Sequence, residues 1–201
     1  MPFKSNAGTA PHCNGIVCSV SSIFETTDSK IKAFHFKMNA AHYHHKKMSA
    51  VIDKAKADFI PSKKDEEILL PDELYFHMDG CLYELYAAFD MILQYLAIKH
   101  SLDIADRKIG WNDQFQKVLH NSSLSDFDSI EASTKQRWYY DLRAARIFIA
   151  HYDAPVSLVA FDDKRVIAVG FGIPGMRQNG DMLYILSECA NGLNLLLEEI
   201  K

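Results

Sequence analysis

Between positions 72 and 100 the apolar residues recur every three or four places, and this spacing limits the fold more than any other feature of the chain. Leu74, Met78, Leu82, Leu85, Phe89, Ile92 and Leu96 fall on one face of a helix with 3.6 residues per turn. Pro71-Asp72 marks the start of that helix, and His100 lies near its end. A stripe this long has to be covered, so the rest of the chain should supply helices of similar length.

Residues 28–59 supply the first. Thr27 or Asp28 is placed to cap a helix whose stripe is Ile31, Phe34, Met38, Ala41, His45, Ile52 and Phe59, while Lys37, Lys47 and Lys54 lie off it. Pro61 and the charged residues 63–67 end it. A shorter helix is predicted over 111–120, a polar loop over 121–128, and another helix over 130–151. In that last helix Trp138, Leu142, Ala145 and Ile149 share a stripe, but Ile147 and Phe148 make other faces apolar, which predicts a place at the centre of a bundle. Asp181 caps a final helix to Lys201, with Leu183, Leu186, Ala190, Leu193 and Leu197 on its inner face. After Pro155 the period changes. Residues 156–161 and 165–171 are β-branched runs around Asp162-Asp163-Lys164 and predict a β-hairpin. Residues 1–15 read as loop and 16–24 as a strand, which would make a third strand for a small sheet. The expected fold is mainly α: an up-down helical bundle with an appended β-hairpin, in a single domain over 1–201.

Composition narrows the function classes. The 201 residues carry a net charge of −4, which argues against a broad basic surface for tracking nucleic acid but leaves room for a local basic pocket. No uninterrupted apolar run approaches the ~18 residues that span a bilayer, and the start of the chain has no signal-like apolar core, so no membrane association is expected. Cys13, Cys18, Cys81 and Cys189 form no CxxC pair and read as reduced thiols, which fits a cytoplasmic protein. His12, Cys13 and Cys18 make at most half a metal site. Gly170-Phe171-Gly172 is not a phosphate loop, since no Gly-Lys-Ser/Thr follows. No cofactor is called for.

The strongest chemical signal lies near the end of the 130–151 helix. Arg146 sits beside Leu142 and Ile149 at the edge of the stripe. A guanidinium cannot lose its proton, so at a buried position it needs a carboxylate or an anionic ligand. Glu84, Asp79 and Asp90 on the second helix are the candidate partners, and an internal salt bridge is the plain structural alternative. His151, five residues on and close to Pro155, stands where the helix should end and can turn toward the same cleft. An imidazole exchanges protons near neutral pH while a guanidinium holds a phosphate, a pairing suited to phosphodiester chemistry. Arg143, one turn earlier, offers a second phosphate contact.

The segment Tyr140-Asp141-Leu142-Arg143-Ala144-Ala145-Arg146-Ile147-Phe148-Ile149-Ala150-His151 resembles the Arg-x(4–6)-His signature of the HEPN superfamily, the higher eukaryotes and prokaryotes nucleotide-binding domains. Leu82 to Asp90 is similar to the long early helix of those proteins. The resemblance implies an all-α bundle that forms a homodimer and binds RNA or nucleotides. Active members are metal-independent endoribonucleases in which a 2′-hydroxyl attacks the adjacent phosphate. Carried over, Arg146 would hold the phosphate, His151 would act as general acid or base, and Glu84 or Asp90 would orient or balance them. Catalytic members usually carry a polar residue directly after the arginine, where this chain has Ile147, and the hairpin is an addition to the simple bundle.

A second constellation is rich in histidine. His35, His42 and His45 line one side of the first helix, and with His77 or Glu84 as a fourth ligand they could hold a transition metal. Two further readings therefore stand beside the RNA-binding one: a metal-binding helical bundle, and a non-catalytic interaction module in which Arg146 only cements helices.

Overall fold

The structure is a computed structural model that describes residues 26–58, 72–151, 156–162, 165–172 and 181–201; within 148–172 it describes backbone only. Six α-helices make up most of it: α1 (Thr27–Asp58), α2 (Asp72–Lys99), α3 (Asp113–Ser122), α4 (Leu124–Thr134), α5 (Arg137–His151) and α6 (Met182–Ile200). The backbone of β1 (Val156–Asp162) pairs antiparallel with β2 (Arg165–Gly172), the register shifting between Ala160 and Phe161. The predicted strand at 16–24 lies outside the described residues.

The bundle is built around α2. Leu74, Met78, Leu82, Leu85, Phe89, Ile92 and Leu96 are all buried, as the stripe requires. Leu93, Ala88 and Tyr95 on other faces are buried as well, because α1, α5 and α6 each pack on a different side of this helix. Among the described residues α2 alone is long and apolar enough, by length and composition, to cross a bilayer. Polar residues interrupt its apolar stripe every few places, so no uninterrupted apolar run marks it in the sequence. In the fold its apolar surface is largely taken up by the core.

Pairwise contacts set the directions. Lys37 meets Glu84 and His44 meets His77, so α1 and α2 run antiparallel. Phe89 meets Tyr139 and Tyr86 meets Arg146, so α5 is antiparallel to α2. Lys99 reaches the carbonyl of Ile200, so α2 and α6 finish side by side. The centre of the bundle is thus α2, not the 130–151 segment: Ile147 is 40% exposed on the outer side of α5.

Two boundaries differ from the sequence reading. Residues 121–128 are not a loop. Ser123 ends α3 and at once caps α4, its Oγ accepting from the Asp126 N–H at 3.4 Å, and Ile130 and half-buried Phe127 turn inward behind that cap. The predicted 130–151 helix is two helices, broken at Lys135-Gln136. The Thr134 hydroxyl donates back to the Glu131 carbonyl at 3.0 Å, and such local bonds compete with helix propagation. At the start of α6, Asp181 is the expected cap: its carboxylate accepts from the N–H groups of Leu183 and Tyr184.

Candidate functional site

The α2/α5 seam carries the arginines. Tyr86, Phe89 and Asp90 lie within one turn or so on α2, and Tyr139, Leu142, Arg143 and Arg146 recur at three- and four-residue steps on α5. Phe89 and Leu142 are fully buried and fix the two helices against each other, and the Phe89 and Tyr139 rings lie 5.2 Å apart between centroids. Outside this packed layer the Arg146 guanidinium carbon sits 4.1 Å from the centre of the Tyr86 ring. That is a cation–π contact, and it holds the side chain in place without using its hydrogen-bond donors.

Arg146 and Arg143 are both exposed. The internal salt bridge considered for Arg146 is therefore corrected: the ring of Tyr86 supports the guanidinium at the surface. Of the three carboxylates considered as its partners, Asp90 is near enough for the guanidinium to act on its charge. Glu84 points to the opposite side of α2, where the Lys37 ammonium stands 2.9 Å from its Oε2 as an ion pair, off the line of a good hydrogen bond. Two residues along a helix turn a side chain by about 200°, so Glu84 cannot share a face with Tyr86. Asp79 is exposed to solvent.

Asp90 is half-buried, and burial pushes its carboxyl up to about 6 against the opposing pull of Arg146. The same burial raises the Tyr86 hydroxyl, reinforced by Asp90 and opposed by Arg146 and Arg143. The site thus combines two permanent cations, an aromatic platform and a carboxyl that changes charge near neutral pH. His151 is the last residue of α5. Its side chain lies outside the described residues.

The histidines divide into two groups. His35, His42 and His45 do line one cleft, of about 430 Å³, between α1 and α6. Asn39, Ser187, Asn191 and Asn194 complete its polar walls. They do not form the expected metal centre: among the described residues no three His, Cys, Asp or Glu side chains converge to hold a metal ion. His45 is committed elsewhere, its Nε2 lying 2.9 Å from the Leu183 carbonyl and 3.1 Å from the Ser187 hydroxyl. Spacing along one helix aligned the three imidazoles, but convergence on a point needs a donor from a second helix, and α6 offers only amides and a hydroxyl there.

No family model, no curated protein and no solved structure matches this chain.

The other pair, His44 and His77, escaped the sequence reading as a unit. Their Nδ1 atoms lie 3.0 Å apart, with Glu73 3.6 Å from the outer nitrogen of buried His77. Burial and His77 lower the His44 pKa, while Glu84 raises it. The sequence did hold a signal, in Gly80. A Cβ there would lie 2.5 Å from His44 Cε1, so the glycine keeps open the space that the imidazole crosses. Cys81 and Cys189 are free and buried, and burial pushes the Cys81 thiol up to about 12 and raises that of Cys189 as well, which leaves both inert as nucleophiles.

Proposed function

We propose that the α2/α5 face centred on Arg146 binds the phosphate of an RNA or nucleotide, in a HEPN-like bundle with an appended hairpin. What supports this reading is an exposed guanidinium held over Tyr86, with no carboxylate within ion-pairing distance among the described residues. Water solvates the exposed guanidinium, and its fixed position over Tyr86 leaves its hydrogen-bond donors open to an anion. Arg143, one turn earlier on α5, gives the phosphate a second cation, and half-buried Tyr86 supplies an aromatic edge for a sugar or base. In the cleavage reaction a 2′-hydroxyl loses its proton to the general base and attacks phosphorus. The bond to the 5′-oxygen breaks, and that oxygen takes a proton from the general acid. His151 is assigned to proton transfer, Arg146 to the charge developing on the phosphate, and Asp90 to balancing Arg146.

The test is RNA binding and cleavage in EDTA. Arg146→Ala should weaken binding tenfold or more and Arg143→Ala by less, each lowering the salt dependence of log K by roughly 1. His151→Ala should abolish cleavage while sparing binding. Equal binding by wild type and Arg146→Ala removes the site; binding without cleavage in wild type leaves a binding protein.

Asp90 adds a pH dependence. Its ionised carboxylate competes with phosphate for Arg146, so affinity should rise as pH falls through about 6, and Asp90→Asn should flatten that rise. Stability follows the same group. Its folded pKa is raised, so its contribution is complete below the ordinary value of 3.8 and is lost as pH rises through about 6. At pH 7 the Asn variant should gain about 1 kcal/mol, discounted because the group is partly solvated. Chemical denaturation at pH 5 and pH 7 reads the difference.

A further inference from the structure

The contact between His44 on α1 and His77 on α2 has a proton requirement. Their Nδ1 atoms lie 3.0 Å apart, and two nitrogens at that distance need one hydrogen between them: one donates and the other accepts. The neutral pair meets this condition. So does the pair with one extra proton, because an imidazolium on one side can donate to a neutral ring on the other. Glu73, 3.6 Å from the outer nitrogen of His77, then balances the added charge. Two extra protons do not fit. Both Nδ1 atoms would carry hydrogen, and two donors and two positive charges would face each other across 3.0 Å.

Relief by turning one ring is obstructed. His77 is buried, and the His44 ring lies so close to α2 that a Cβ on Gly80 would come within 2.5 Å of it. Tyr43 and Phe76 stand edge-on to His44, with centroids at 5.5 and 6.1 Å. What can yield is the distance between the helices. Met48 and Ile52, four and eight residues after His44, and Leu74, three before His77, are all buried at this end of the pair. The charged groups around the imidazoles are Glu73 and Glu84 on α2 and Lys37 and Lys47 on α1. Lys37 already answers Glu84, and Lys47 lies over the Tyr43 ring. β2, which also packs on α1, has Arg165 as its one charged residue.

We infer that the His44–His77 pair is an acid-operated latch: it stays closed while it holds at most one extra proton, and the second proton parts the start of α2 from the second half of α1 and opens Met48, Ile52 and Leu74 to water. The direction follows from counting protons. In acid the parted helices carry two free imidazoles, which bind one proton more than the closed pair. Burial and His77 lower the His44 pKa below the ordinary 6.5, so the stability the latch gives is whole above that value and is lost as pH falls below it. One additional proton in the open form makes opening about tenfold easier per pH unit. Asp90 acts with the opposite sign, since its contribution is lost as pH rises through about 6. The latch does not rest on the RNA-binding reading, because Arg146 meets α2 from α5.

Hydrogen exchange of the full chain in EDTA, from about pH 7.5 to about pH 5 and corrected for the intrinsic rate, tests it. Protection of the amides in 44–52 and 74–81 should fall about tenfold per pH unit below about pH 6, while α3 and α4 keep theirs. His44→Asn leaves the His77 nitrogen a donor that cannot titrate, and it should flatten the fall. Should that variant not fold, His77→Gln carries the comparison. NMR titration of both imidazoles in the wild type stands beside either variant: the second proton should bind only as those amides open. Protection in these segments that does not change with pH overturns the inference, because the rings then yield alone. An equal fall in the folded variants overturns it too, by giving the proton to another group.

Discussion

Gly192→Val should lower stability by about 3 kcal/mol, with a fall in Tm of roughly 6–12 °C. The cause is local. A Cβ built on Gly192 of α6 would lie 2.4 Å from Cδ2 and Cε2 of Trp138 on α5, far inside van der Waals contact. The indole has little room to withdraw: Trp138 is 7% exposed and meets Tyr139 edge-on at 5.8 Å. Its carbonyl also accepts from the Cys189 thiol at 3.3 Å, which holds the backbone of α5 at the same level of α6. Helix propensity works the other way, since glycine inside a helix costs about 1 kcal/mol relative to alanine. The clash is expected to win, and even Gly192→Ala should lose stability. Trp138→Leu/Gly192→Ala is the decisive cycle. The two changes should cost less together than the sum of each alone, because removing the indole removes what the methyl strikes. Additive losses would show that the α5/α6 approach is not limited by this contact.

Asp126→Ala should cost about 2–3 kcal/mol and change how the protein responds to acid. Asp126 on α4 is buried, and its Oδ2 faces both the Lys99 ammonium at 3.0 Å and the His100 imidazole at the end of α2. The same ammonium donates to the Ile200 carbonyl at 2.6 Å. One carboxylate therefore ties together the ends of α2, α4 and α6, and without it Lys99 keeps a single anchor. Burial alone would raise the Asp126 pKa, but hydrogen bonds from His100 and Lys99 outweigh it, and the net shift is downward. For a lowered carboxylate, the stability it contributes is present above the ordinary value of 3.8 and disappears as pH falls through the folded value. The wild type should thus lose stability more steeply than Asp126→Ala below about pH 4. Parallel slopes in acid would mean that the cluster is not coupled to folding. The magnitude is set at the low end for a buried pair because the Lys99 side chain is 30% exposed.

Much of the architecture was legible along the chain. Helix α2 begins at Asp72, α1 ends before Pro61, and Asp181 caps α6, all through chemistry confined to one turn of backbone. The two boundary errors came from signals of the same local kind that were misweighed. The serines and aspartates of 121–128 suggest a loop, yet Ser123 there is a cap; and 130–151 looked continuous because hydroxyls that bond back to carbonyls leave no mark in an apolar pattern.

The site was legible in a more limited way. The three-residue step from Arg143 to Arg146 puts both cations on one side of any helix, whatever the fold, because that follows from 3.6 residues per turn. Periodicity also makes α2 a core helix and places Leu142 beneath the arginines. Only the packed molecule decides the rest. Which carboxylate meets Arg146 depends on how α2 is rotated against α5: that rotation delivers Asp90 and Tyr86 and turns Glu84 away to Lys37. The same holds for His44 meeting His77 across Gly80, and for three aligned imidazoles that never converge. Contacts between helices depend on their relative rotation and offset, which are set by the shapes of all the side chains in the layer at once, and no window of sequence contains that sum.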